Sequence, residues 1–406
     1  MKYISLFSGA GGLDLGIREA GFKGLLSVEI APVCQSTLKV NDEGHKVSEE
    51  GDITKLTSRK LMSFAGISKG ELDLLVGGPP CQPFSKSGYW ANSQNERMAD
   101  PRADTLREYM RVVQDVLPKV VLIENVSGIA YSSKNDGIKY IFTEFEKINR
   151  ENNVNYRPVV NLVNAAEYGV PQIRQRVFVV AFRNGHEFKM PQGTHRPDND
   201  LERKHLPVYK SAWDAIGDLD IAKCQPDLEI SGKWADLVPS IPEGQNYQWH
   251  TDRKGGSPIF GWRTRYWSFL LKLAKNKPSW TITAKPGPAT GPLHWKNRYL
   301  SIREMARIQT FPDDYKFCGK YREQQVQIGN AVPPAIGELF GLEIRRQLFA
   351  GQVRKNLNFL PVKRSDVPKP EMTKKVPSKY RNLMRVHDDH PGIGKGPGAL
   401  KRFQEV

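Results

Sequence analysis

Apolar positions in this chain fall in short runs separated by stretches of helical periodicity, and that alternation predicts an α/β fold. Aliphatic and β-branched runs predict strands at Tyr3 to Phe7, Leu25 to Val28, Leu72 to Val76, Val120 to Ile123, Val159 to Val163 and Val177 to Phe182. Helical spacing marks Leu13 to Ala20, Val33 to Val40, Leu106 to Leu117 and Tyr140 to Ile148. Strands alternating with helices imply a doubly wound, mostly parallel sheet. From Met190 to about Trp295 the periodicity fades among prolines, glycines and polar turns, and seven of the eight tryptophans lie between Trp213 and Trp295. That stretch predicts a small irregular unit holding a large aromatic area. Helical pattern returns at Ile302 to Thr310 and Ala335 to Phe349. The expected division is 1–189, 190–300 as a second domain, 301–350 returning to the first, and 351–406 as a tail.

Composition sharpens this outline. The chain has 406 residues and a formal net charge of +16, which favours a polyanionic partner without separating DNA, RNA and acidic membrane. The last 56 residues hold thirteen Lys/Arg and five Asp/Glu, about half of the excess, so the tail is expected to be loose unless bound. No apolar stretch approaches the roughly 20 residues that span a bilayer, and no signal-peptide pattern opens the chain, so a cytoplasmic setting is expected. Cys34, Cys81, Cys224 and Cys318 form no Cys-x-x-Cys pair, which argues against a disulfide framework and a metal site.

Several residues carry candidate chemistry. Gly77-Gly78-Pro79-Pro80-Cys81-Gln82-Pro83-Phe84-Ser85 makes a stiff loop after an apolar strand, and a cysteine fixed at a strand's carboxyl end reads as a nucleophile. Phe7-Ser8-Gly9-Ala10-Gly11-Gly12, with Glu29 closing the next strand, suits a nucleoside whose ribose hydroxyls the carboxylate accepts. Asp14 stands where the dinucleotide fingerprint needs a small residue, so an adenosyl ligand without pyrophosphate fits better than a nicotinamide. Asp52 reads either as a turn residue or, at the end of a third strand, as the partner of an adenine amino group.

Glu124 follows a buried strand, where desolvation raises a carboxyl pKa and suits it to share a proton; a helix-capping Glu124-Asn125 pair is the plainer alternative. Arg174 and Arg176 alternate into a strand, which predicts one shared face and an anionic or base-edge partner. Gly261-Trp262-Arg263-Thr264-Arg265-Tyr266-Trp267 interleaves cations with rings, fit for phosphates and stacking, or for core packing. Gln327-Ile328-Gly329-Asn330-Ala331-Val332-Pro333-Pro334 predicts a tight Gly-Asn turn before the last helix.

Taken in order, these motifs resemble the DNA (cytosine-5) methyltransferase family over residues 1 to about 350, as does the segment Arg303 to Pro312. The resemblance implies a Rossmann-like class I methyltransferase fold with a target-recognition domain in the variable stretch. It implies transfer of a methyl group from S-adenosyl-L-methionine to C5 of a cytosine flipped out of double-stranded DNA, as in a bacterial or phage restriction-modification methylase. Cys81 would be the nucleophile, Glu124 would bind N3 and the exocyclic amine, and Arg174 and Arg176 would hold phosphate and O2. Phe7, Gly9, Gly12, Leu13, Glu29, Ile30, Asp52, Ile53, Pro79, Leu106 and Asn330 would line the cofactor site, and Ser85, Arg263 and Arg265 would meet DNA. After the cysteine loop the family often has Asp-x-Arg-Gly-x-Leu; here Asp100-Pro101-Arg102-Ala103-Asp104-Thr105-Leu106 has an extra residue and no glycine. A monomer is expected, with any cognate endonuclease acting separately. A tRNA substrate, or a non-catalytic DNA-binding module, are the alternative readings.

Overall fold

Strands form where the apolar runs lie, and the runs of the central strands are flanked on both faces by helices that bury them. The computed structural model describes residues 1–42, 44, 46–80, 104–131, 136–219, 228–263, 266–349 and 352–385. Its main sheet contains β1 (Lys2–Leu6), β2 (Lys23–Val28), β3 (Leu74–Gly77), β4 (Val120–Val126), β5 (Arg157–Asn164) and β6 (Gln175–Phe182). Their spatial order is β2-β1-β3-β4-β6-β5. The first four are parallel, and β6 runs antiparallel to both neighbours. The order reverses between β1 and β3, so the crevice beyond their carboxyl ends is the expected ligand position.

Side chains alternate between two cores. Ile4, Leu75, Val121 and Ile123 pack with the helices α3 (Ser58–Ala65), α4 (Asp104–Val116) and α5 (Asp136–Asn152). Tyr3, Leu74, Val76, Val120 and Leu122 face α1 (Gly12–Glu19) and a long C-terminal helix, Pro334–Leu348. Two buried faces explain why these strands read as continuous apolar runs rather than alternating ones. Besides α2 (Pro32–Asn41) and the short helices Gly128–Tyr131 and Ala212–Ile216, the later helices are α6 (Ile302–Ile308), α7 (Tyr321–Asn330) and α8 (Pro334–Leu348).

Three expectations change here. Gly329 and Asn330 do not form a tight turn; they are the last residues of α7. The glycine serves close approach, since a Cβ there would lie 2.5 Å from the backbone of Ala284. Where a third strand was expected before Asp52, there is only a single bridge between Ser27 and Val47, and Asp52 sits in a turn whose carboxylate accepts from Thr54. The basic tail is not loose over 352–385. Its Leu357, Phe359 and Leu360 pack on the second core, and Tyr380 is buried against the variable stretch.

The variable stretch contributes two further cores. One joins Ala212, Ile216, Leu273, Ile282 and Trp295 to Met305, Ile308 and Phe311 of the returning chain. The other gathers Leu237, Ile241, Tyr247, Phe260 and Leu293. No helix among the described residues is long and apolar enough to cross a membrane.

Candidate active site

The loop after β1 is held open from below. Phe7, Gly9 and Gly11 take φ of 55°, 55° and 72°, a left-handed region that costs a non-glycine residue energy and so marks Phe7 as constrained. Tyr315 donates its hydroxyl to Ala10 O at 2.6 Å. The Glu29 carboxylate accepts from Gly9 N at 2.7 Å and from Ala31 N at 2.9 Å, tying the β1 and β2 loops together. Asp14 is buried on α1 and accepts from the hydroxyls of Ser5 and Ser27, both at 2.9 Å. It stitches α1 to two strands.

The glycines of this loop divide their work. A Cβ on Gly9 would meet nothing within 4 Å, which leaves the backbone open to a ligand. A Cβ on Gly12 would lie 2.2 Å from Val332 O, and one on Gly16 would lie 2.2 Å from Pro334 O. Those two glycines let α8 settle directly onto α1.

A cavity of about 460 Å³ opens between the β1, β2, β3 and β4 loops and the end of α7. That volume suits a small organic ligand. Among the residues named from sequence, Phe7, Gly9, Gly12, Leu13, Glu29, Ile30, Pro79, Glu124, Arg176 and Asn330 line it. Ala10, Asn125, Gln327 and Val332, which lie inside motifs but were not assigned to the cofactor site, do so too, as do Ala31 and Cys34, which no motif marks. Asp52, Ile53, Leu106 and Arg174 are not in the wall. Ile53 and Leu106 belong to the first core instead. Cys81, Ser85 and Arg265 lie outside the described residues.

Glu124 follows the four buried apolar residues that open β4, and its carboxylate meets Arg176 Nε at 3.0 Å. Burial pushes its pKa above the ordinary carboxylate value, while the Arg176 and Arg174 cations pull it back. Gly78 makes room for this group, since a Cβ there would sit 3.0 Å from Glu124 Oε2. Asn125 donates to Pro79 O at 3.2 Å, and Thr105 Oγ1 donates to Pro80 O at 2.9 Å. The chain is therefore pinned at both prolines that precede Cys81 in sequence.

The two arginines differ in burial and in partners. Residue 174 lies between the short strand Gln172–Ile173 and β6. Arg176 faces Glu124, whereas Arg174 is buried and donates through Nη2 to Gly329 O and Ala331 O, both at 2.9 Å. A guanidinium there satisfies carbonyls at the negative end of the α7 dipole. Gln172 reinforces it through Gln309, whose Nε2 donates to Ile328 O at 2.6 Å.

The variable stretch reaches the same place. Ser279–Trp280 pairs with Gln172–Ile173, a few residues from Arg176. Beside that ladder stand Tyr266, Trp267 and Trp280, 82%, 46% and 37% exposed, with the two indoles 4.6 Å apart in a T-shaped contact. Arg263 lies on the same loop and is exposed.

The model of the C-5 cytosine-specific DNA methylase family matches residues 1–346. The type II methyltransferase M.SacI of Streptomyces achromogenes is 39% identical over 374 residues, spanning 86% of this chain and 93% of that protein. The type II methyltransferase M.NgoFVII of Neisseria gonorrhoeae is 35% identical over 339 residues, spanning 82% and 83%. In fold, the chain is similar to the methyltransferase EhMeth of Entamoeba histolytica (TM-score 0.58, 16% identity, covering 86% of this chain and 98% of that one). It is also similar to the Dnmt2 methyltransferase of S. pombe (TM-score 0.57, 17% identity, 86% and 99%). On the family match across its ordered motifs, the chain belongs to the C-5 cytosine-specific DNA methylases.

Proposed function

We propose that this DNA cytosine-5 methyltransferase works through Cys81 as nucleophile, Glu124 as the group that binds cytosine N3, and S-adenosyl-L-methionine as methyl donor. The type II methyltransferases among its relatives support the reading of a modification enzyme of a restriction-modification system. The observation that carries it is the Glu124–Arg176 pair standing in the wall of the cavity that the β1 glycine loop also lines.

The residues present fit the donor. Gly9 offers bare backbone at φ 55°, and Glu29 uses only two of its roughly four acceptor positions on amides, leaving the rest for ribose hydroxyls. Phe7 and Ile30 supply apolar surface for the adenine. When bound, the donor supplies an electrophilic sulfonium methyl group.

The protein's own part follows from cytosine chemistry. C5 is too weak a nucleophile to be alkylated directly. Attack of the Cys81 thiolate on C6 makes a C6–S bond and moves the electron pair through C5, with N3 hydrogen-bonded or protonated by Glu124. The raised pKa of Glu124 suits it to hold that proton. Arg176 then keeps Glu124 aligned and stands ready for O2 or a phosphate. After C5 has taken the methyl group it loses its proton, and β-elimination breaks the C6–S bond and returns the thiolate. Extruding the base costs roughly a few kcal/mol, which phosphate contacts from a chain of net charge +16 help offset.

The test is methyl transfer from labelled S-adenosylmethionine to duplex DNA. Cys81→Ala should abolish turnover and leave donor binding intact; turnover that persists in this variant would refute the mechanism. A duplex with 5-fluorocytosine at the target should trap the wild-type protein covalently on the peptide holding Cys81.

A further inference from the structure

We propose that residues 352–385 are a clasp that fixes the variable stretch at its working distance from the catalytic sheet, with Glu371 and Tyr380 as positioning residues for DNA. This rests on the methyltransferase reading above, but concerns a segment beyond the region that the family model matches.

The segment touches the protein at three stations. At the first, Glu338 of α8 is fully buried, and Arg354 Nη2 donates to it at 2.6 Å. The amides of Asn358 and Phe359 donate to the same carboxylate. A buried carboxylate satisfied by the segment itself is an anchor that stays closed. At the second, Arg364 bonds Asp214 through its amide at 2.7 Å and Asp218 through its guanidinium at 2.7 Å, and Asp218 also holds Arg307 of α6.

The third station lies on the variable stretch. Lys275, 2% exposed, is held between Glu243 at 2.7 Å and Glu371 at 2.9 Å. Lys374 N donates to Pro239 O, and the Tyr380 hydroxyl donates to Lys233 O at 2.6 Å. The Tyr380 ring stacks on Trp234, with centroids 5.6 Å apart and planes at 11°. Every other buried member of that core comes from residues 237–293, so the tail completes the packing of the variable stretch from outside it.

A clasp matters because the two bodies do not close on each other everywhere. A cavity of about 820 Å³ separates Ala31, Cys34 and Arg322 on the catalytic side from Glu229, Lys285 and Pro288 on the other. It shares Ala31, Cys34 and Gln327 with the site cavity, so any rocking of the variable stretch alters the cleft in which DNA must lie. Relative motion is the default for such pairs of units. A rocking recognition surface must be ordered each time DNA binds, and a tether anchored on both bodies removes that cost in advance. The shared core of Trp295, Met305 and Phe311 keeps the two bodies joined without the clasp, so clasp variants should fold.

Charge separates this role from simple electrostatic attraction. Glu371→Gln removes a negative charge, so a tail acting only as a polycation would bind DNA more tightly after the change. The clasp requires weaker binding. In the full-length protein, Glu371→Gln and Tyr380→Ala should each raise KM for duplex DNA, and a chain ending at Asp366 should raise it about tenfold. Saturating kcat and the affinity for S-adenosylmethionine should stay at wild-type values, and Tyr380→Phe should keep most of the wild-type KM. Unchanged or lower KM in Glu371→Gln and Tyr380→Ala overturns the proposal. So does a parallel fall in kcat and donor affinity, which would mark ordinary structural support. Wild-type turnover on the same duplex decides the methyltransferase reading separately.

Discussion

Arg174 and Arg176 stand two residues apart and have different physical tasks. Arg176 remains at the cavity wall beside Glu124, where its charge acts on the carboxylate proposed to bind N3. Arg174 is spent on carbonyls at the end of α7, and its burial pushes its pKa down, with the Arg176 cation adding to that. Charged hydrogen bonds of this kind contribute about 1.5–3 kcal/mol each. Arg174→Met should therefore lower the unfolding free energy by about 2–4 kcal/mol, whereas Arg176→Ala should leave stability near wild type and lower kcat. Denaturant melts of the two variants beside the parent check this, and coincident curves for Arg174→Met and wild type would remove the structural role. The spacing announced two cations side by side. What it could not announce was that Arg174 would be taken up by the carbonyls of Gly329 and Ala331, more than a hundred residues away.

At the scale of elements, the packing of α1 on α8 decides the shape of the cavity floor. The glycine-rich start of α1 is legible as a ligand loop, and Gly9 fits that description. Gly12 and Gly16 instead answer to Val332, which leads into α8, and to Pro334 at its start, whose carbonyl oxygens lie where their Cβ atoms would be. Gly16→Ala should cost about 1–3 kcal/mol through overpacking and weaken S-adenosylmethionine binding, because α1 would be pushed off the start of α8, and Val332 just before it lines the cavity. Calorimetric titration of the donor against this variant is the measurement; undiminished affinity with wild-type melting would show that the two helices separate freely. Helices with a strong apolar stripe were legible within a few residues. Among the labelled helices two were not: α3 opens on the polar run Ser58-Arg59-Lys60, and α7 hides behind glutamines and ends in the Gly-Asn pair that imitates a turn. In both cases tertiary contacts, with Leu61 and Ala65 on the first core and Ile328 on the third, stabilise what local pattern left weak.

At the scale of the molecule, His294 sits fully buried where the variable stretch meets the returning chain, 4.2 Å from the Trp295 ring. Burial, reinforced by Arg298, Lys296 and Lys275, lowers its pKa to about 2. The folded state keeps this ring neutral, while the unfolded chain protonates it near pH 6.5. Its contribution to stability is therefore complete above about pH 6.5 and is lost progressively as pH falls from there toward 2, by up to about 1.4 kcal/mol per pH unit. Unfolding midpoints between pH 7 and 5 should show that decline, and His294→Asn should flatten it; an equal slope in the variant would assign the proton elsewhere. By itself the sequence determined the α/β class, the strand sites and the ordered motifs of the family, because apolar runs and loop motifs are local properties of the chain. Only the tertiary structure decided that Arg174 braces α7, that Asp52 sits in a turn closed by Thr54 and that residues 352–385 lie folded across both bodies. The first and last of those outcomes depend on groups far apart in sequence, as Tyr380 is from Trp234, meeting where burial makes their hydrogen bonds and ring contacts favourable.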